Sequence, residues 1–212
     1  MNLFLTYIEN QLQQRLIYPY EFVEIQYENW STYANFIYDF SSWDALVEAM
    51  KATIEAYGLN KREFFNYAAN RWFNYWSTIA IEQIFTEVEG IIPSLSYKNR
   101  LVDFNLRGID FSLNITVFPE DFKQTLYYAQ HHQEELLYWM CSKHPQQEIL
   151  SPKNRLFVIA YSNEVEPWKL KAEISWLKTV IQKYVSTFDA SKLEQLQLNG
   201  ESFYSAIIWA VK

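Results

Sequence analysis

The chain has 212 residues with 25 acidic and 18 basic side chains, a net charge of −7; half of it is hydrophobic and 18% aromatic. Four glycines and six prolines over that length exclude a disordered or low-complexity chain, and no linker or internal repeat breaks it. The acidic balance excludes a sequence-wide attraction to phosphates, because nonspecific nucleic-acid binding rests on Lys and Arg releasing counterions, but it leaves room for a local basic groove. One domain over 1–212 is expected, an N-terminal helical layer over 1–60 followed by an α/β core over 61–212.

The single cysteine, Cys141, has no intramolecular partner, so a reducing compartment and a buried, inert thiol are expected. Residues 1–16 mix apolar positions with Glu9, Asn10 and several glutamines and carry no basic n-region, so they are not read as a secretory signal. No uncharged apolar run approaches the roughly 20 residues of a membrane helix. The expected location is cytoplasmic, with no membrane partner.

In chain order, helices are predicted over 3–16, over 43–57 with Ser42 as N-cap and Gly58 as stop, and over 61 to about 88 opened by Asn60. In the third, Phe65, Ala68, Trp72, Tyr75, Trp76 and Ile79 recur at three- and four-residue spacing, one apolar stripe facing a core. From Arg100 the texture changes. Residues 101–106 and 109–117 alternate polar and apolar side chains around Arg107-Gly108, which predicts a hairpin with a two-residue turn. A helix over 121 to about 143 follows Pro119, then a buried strand LFVIAY over 156–161, an amphipathic helix over 168 to about 188, and a last strand over 203–211. The order predicts an α/β fold with a mixed β-sheet flanked by helices.

With Arg107 and Gly108 as turn residues, Asp103 falls opposite Ser112. Alternation then places Asp103, Asn105, Asp110, Ser112 and Asn114 on one face of the hairpin and the apolar residues on the other. For an arbitrary hairpin such a polar face is solvated sheet surface. Glu82 changes the context: it extends the line through Tyr75 and Ile79 and points near the core side, where an unpaired carboxylate needs a partner, a proton or water.

A helix with an inward Glu, a strand with an Asp, a hairpin strand carrying an acid-x-Lys triplet, then a helix and another strand resembles the PD-(D/E)XK restriction-endonuclease-like superfamily. NRWFNYWSTIAIE over 70–82, VDFNLRGIDFSLNITVFP over 102–119 and WKLKAEISWLK over 168–178 are also similar to an uncharacterised bacterial family of that kind, in which Asp-His-Lys-Thr precedes TVFP or SVFP. The resemblance covers 70 to the C-terminus and implies a restriction-endonuclease-like core, with Asp103 as the first metal-binding aspartate and Glu82 as the helix glutamate. The triplet departs from the pattern. Ser112 stands where the resemblance implies an acid, and Asn114 where it implies the catalytic lysine, so neither the second hard oxygen ligand for Mg²⁺ nor the cation is supplied. Asp110, diagonal to Asp103 at roughly 7–8 Å between backbones, is a possible substitute acid. Arg107 sits in the turn and does not replace the lysine.

His131, His132 and Glu135 share a helical segment, but adjacent histidines point about 100° apart, and a solvated face is expected. Cys141 and His144 are three apart, too few ligands for zinc. The four dispersed glycines build no phosphate loop. Lys169, Lys171 and Lys178, with Lys153 and Arg155, are interleaved with Glu164, Glu166 and Glu173 as a mixed-charge surface. The expectation is a restriction-endonuclease-like protein with a degenerate catalytic site, no cofactor, and a noncatalytic role binding an unknown protein or nucleic acid. The alternatives are an active Mg²⁺-dependent nuclease using Glu82, Asp103 and Asp110, and an acidic interaction or immunity-type protein drawn to a basic target.

Overall fold

The computed structural model describes residues 2–23, 29–93, 102–143 and 154–212. Its contacts divide into two compact units, Met1–Ile81 with Ala172–Ser175, and Glu82–Lys171 with Trp176–Lys212.

The first unit is helical: α1 (Leu3–Arg15), a short α2 (Trp30–Tyr33) running into a 3-10 turn (Asn35–Tyr38), α3 (Trp43–Tyr57), and α4 (Lys61–Glu87) as far as Ile81. The punctuation residues act as predicted. Ser42 Oγ accepts from the Ala45 N–H, Gly58 takes a left-handed φ of 61° behind α3, and Asn60 Oδ1 accepts from the N–H groups of Arg62 and Glu63. Leu5, Ile8 and Leu12 of α1, Leu46 and Met50 of α3, and Phe64, Ala68 and Trp72 of α4 are buried. Trp72 and Trp76 each direct the indole N–H to a backbone oxygen, of Phe40 at 2.6 Å and Ile37 at 2.9 Å, so the polar edge of the buried Trp72 ring and of the half-buried Trp76 ring is satisfied. The single apolar stripe predicted for α4 is too narrow: Phe64, Phe73 and Ala69 are buried as fully as Trp72, while Phe65, Tyr75, Trp76 and Ile79 are only half-buried.

The second unit is built on a six-stranded mixed sheet in the order β1-β2-β3-β4-β6-β5. The strands are β1 (Ile91–Pro93), β2 (Phe104–Leu106), β3 (Ile109–Val117), β4 (Arg155–Tyr161), β5 (Glu194–Leu198) and β6 (Glu201–Val211). β1, β2 and β3 are antiparallel; β3, β4 and β6 are parallel; β5 returns antiparallel to β6. On one face, Leu136, Leu137, Met140 and Cys141 pack on Phe157, Ile159, Phe203 and Ile207. On the other, Phe85 stacks on Phe104 at 4.8 Å, Phe104 on Phe111 at 6.0 Å, and Phe188 meets Phe111 edge-on. The expected mixed sheet with helices is present.

Several predicted boundaries are corrected. The helix expected over 121–143 is a 3-10 turn (Glu120–Phe122) followed by α5 (Leu126–His131) and α6 (Gln133–Lys143). Lys123 at φ 56° breaks the chain, Thr125 Oγ1 accepts from Tyr128 N–H to start a new helix, and His132 leaves helical dihedrals between the two. The helix expected over 168–188 is a 3-10 segment (Pro167–Ala172) and α7 (Ile174–Ser186); Leu170, Lys171 and Ala172 are all buried, a run that no single α-helical stripe accommodates. The first hairpin strand begins at Phe104, with Val102 and Asp103 before it and Leu101 outside the described residues. Strands β1 and β5 were not expected, and β6 starts two residues before Phe203.

Candidate functional site

The site is organised by the hairpin. Arg107 and Gly108 both have positive φ, 48° and 91°, the two-residue turn that matches the twist of its strands, and Leu106 pairs with Ile109, Asn105 with Asp110 and Phe104 with Phe111. The paired register ends at Phe104 with Phe111, and the Asp103 N–H donates to Phe111 O at 2.9 Å, one residue before Ser112. There the ladder changes character: the Leu113 N–H donates to Asp103 Oδ2 at 2.6 Å, a side chain replacing a backbone acceptor. Asp103 therefore has a structural task at the end of β2.

The other polar residues of this face are also engaged. Asn105 Nδ2 donates to Asp110 Oδ1 at 2.7 Å while Asn105 Oδ1 accepts from Gly108 N–H at 2.8 Å, which locks the turn and occupies the proposed substitute acid. The Ser112 hydroxyl and N–H both donate to Asn154 O. Asn154 in turn donates from Nδ2 to Asp110 O and accepts at Oδ1 from Tyr204 N–H, joining β3, β4 and β6 at one end of the sheet. Asn114, two residues on, lines an open cavity of about 590 Å³.

Glu82, on the part of α4 that belongs to this unit, is half-buried. Burial pushes its carboxyl above the usual carboxylate range, and the negative field of Asp103 pushes in the same direction. Arg107 is elsewhere engaged: its guanidinium donates to the carbonyls of Phe188 and Val185, closing the C-terminal end of α7.

Sequence reasoning missed Arg155. It was grouped with a charged surface, yet it is buried, pairs in register with Ser112 and lines the same cavity as Asn114. The signal was available: Arg155 heads the LFVIAY run, and alternation puts it on the face of Phe157 and Ile159. Its guanidinium lies 5.7 Å from the Phe203 ring centroid. Burial pushes the Cys141 thiol up, and the positive charge of Arg155 opposes that shift.

Lys171 is likewise corrected from surface to interior: it is buried, and burial lowers its ammonium to about 8. Lys169 and Lys178 pair with Glu166 at 2.8 Å and Glu87 at 2.6 Å; Lys153 lies outside the described residues. His131 and His132 stack separately on Tyr127 and Tyr128, and Glu135 accepts from the Tyr128 hydroxyl, so the three do not converge. Cys141 is buried and His144 lies outside the described residues.

Magnesium favours several hard oxygen donors at one point. Glu82 and Asp103 offer two carboxylates, one of them already bound to a backbone N–H, and no group of three potential acidic, histidine or cysteine ligands gathers among the described residues. Among the described residues, the side chains around Glu82 and Asp103 do not fit a magnesium ion. Comparison with family models, curated proteins and solved structures gives no match. No helix among the described residues is long and apolar enough to cross a membrane.

Proposed function

We propose that this chain is a restriction-endonuclease-like protein whose catalytic site is degenerate and whose role is noncatalytic binding. The observation that carries the reading is Glu82, a half-buried carboxyl raised by burial and then by the charge of Asp103, in the same unit as Ser112 and Asn114 of the hairpin. The element order from α4 through the hairpin, α5–α6 and β4 supports it, since it follows the helix, strand, hairpin strand, helix and strand of the resemblance. Ser112 is tied to backbone and carries no charge, and Asn114 supplies no titratable amine, so the arrangement lacks what metal-assisted phosphodiester cleavage requires. Arg155 brings a permanent charge beside Ser112, but a guanidinium does not act as a proton-transferring lysine.

The test is cleavage of single- and double-stranded DNA with Mg²⁺ or Mn²⁺. Native protein is expected to cut neither. Installing the two absent groups, Ser112→Asp with Asn114→Lys, is expected to restore Mn²⁺ binding, read as a rise in melting temperature with added metal, as for any ligand that binds only the folded state. Cutting by native protein that Asp103→Ala abolishes would replace this reading with an active, rearranged nuclease.

A further inference from the structure

The last hairpin of the chain leaves one strand of the sheet half used. β5 reads Glu-Gln-Leu-Gln-Leu at the edge of the sheet, and among the described residues it pairs with β6 alone. The two-residue turn Asn199-Gly200 fixes which of its backbone groups that pairing occupies. Leu198 faces Glu201 directly across the turn, so this pair exchanges hydrogen bonds, as do Leu196 with Phe203 and Glu194 with Ser205; the pairs between them do not. The backbone N–H and C=O groups of Gln195 and Gln197 therefore point away from β6. Tyr204 checks this phase: it stands opposite Gln195, and its N–H points away from β5, to Oδ1 of Asn154 at 2.8 Å, the residue that leads into β4.

This edge carries none of the devices that keep strands apart. β5 has no lysine, no proline and no bulge, and the side chains of Gln195 and Gln197 are exposed. The opposite edge differs, since β1 is three residues long and ends in Pro93. The order Gln-Leu-Gln also reads the same from either end. Turned about a two-fold axis at Leu196, a second β5 lies antiparallel to the first with Gln195 opposite Gln197 of the second copy, so that each glutamine pair exchanges both backbone bonds, and Leu196 opposite its own equivalent in the close, non-bonded phase. The same register sets amide beside amide on the exposed face and places Glu194 opposite Leu198, not opposite another carboxylate. We propose that β5 is a self-association edge, through which two copies of this chain join antiparallel and continue the sheet across a two-fold axis. Five residues of strand bury less than a permanent interface needs, so the dimer is reversible; two chains of net charge −7 repel, so salt strengthens it. None of the argument uses Glu82 or Asp103, so the inference stands apart from the endonuclease reading.

The full chain is followed by sedimentation velocity across the micromolar range at low and at moderate salt. A weight-average mass that climbs with concentration toward twice that of one chain is expected, at lower concentration when salt is added. Gln195→Lys with Gln197→Lys puts like charges opposite one another and is expected to hold the chain monomeric, as is Gln195→Glu with Gln197→Glu. Both changes leave the backbone bonds to β6 in place, so the far-ultraviolet spectrum and melting temperature are expected to stay near native. Mixing the two variants at low salt sets each lysine opposite a glutamate and is expected to give a mixed dimer, which fixes the register as well as the edge. A native chain that stays monomeric throughout, a dimer that persists in the folded lysine variant, or a mixture that stays monomeric would overturn the proposal.

Discussion

Glu82 shows how one side chain carries a measurable consequence of the site. Its carboxyl is raised above the ordinary value of 4.5, first by burial and then by Asp103, so the folded chain holds this proton more tightly than the unfolded chain does. Stability from this group is therefore fully present below the ordinary glutamate pKa. It declines as pH rises through the raised value and stays lower above it. Glu82→Gln removes the ionisable group and keeps the shape, so the variant is expected to melt a few degrees above native protein at pH 7, with the gap closing as pH falls toward 4. Asp103→Asn, which keeps an acceptor for the Leu113 N–H but deletes the neighbouring charge, is expected to give a smaller gain. Equal melting temperatures for native protein and Glu82→Gln across pH 4 to 8 would show that the carboxyl is solvated normally.

At the scale of elements, two turns carry the same demand. Gly108 and Gly200 have φ of 91° and 85° beside Arg107 and Asn199, also at positive φ, and both turns join antiparallel strands. No atom stands within 4 Å of where a Cβ would fall at either glycine, so the cost of Ala there is backbone strain alone. Gly108→Ala and Gly200→Ala are each expected to destabilise by about 1 kcal/mol, seen as a lower urea midpoint with unchanged slope. The first turn was legible because Phe104, Leu106, Ile109 and Phe111 alternate cleanly around it. The second was passed over although Asn-Gly is the strongest short-range hairpin signal, because β5 reads Glu-Gln-Leu-Gln-Leu and buries only Leu196. The same physics hid β1, a three-residue edge strand ending in Pro93, too short for any period to register. Helix ends with side-chain or glycine caps, at Ser42, Gly58 and Asn60, were read from sequence; the interruptions at Lys123 and His132 were not, since neither residue type announces a break. Of the candidate site, the facing of Asn105 and Asp110 followed from alternation, whereas the diversion of Asp103, Asp110 and Ser112 into backbone and amide bonds depended on Leu113, Asn105 and Asn154, partners that spacing alone does not reveal.

For the molecule as a whole, charge decides what encounter is possible. The excess of acid is concentrated in the helical unit, and the unit holding the hairpin and the cavity is closer to balance. Within that second unit, several cations are internally committed: Arg107 to the end of α7, Lys178 to Glu87, Lys169 to Glu166 and Lys143 to Asp121, while Arg155 and Lys171 are buried; Lys123, Lys183 and Lys192 are exposed. Affinity for a nucleic-acid backbone grows with the number of counterions that free Lys and Arg displace, and its salt slope counts them. The expected result of fluorescence anisotropy with labelled DNA at low salt is therefore weak binding with a shallow salt dependence. Replacing Glu87 by Gln, which frees Lys178, is expected to strengthen it slightly. Tight binding with a slope of several phosphate contacts would show that a local groove outweighs a net charge of −7, and would favour a nucleic-acid partner over a basic protein one.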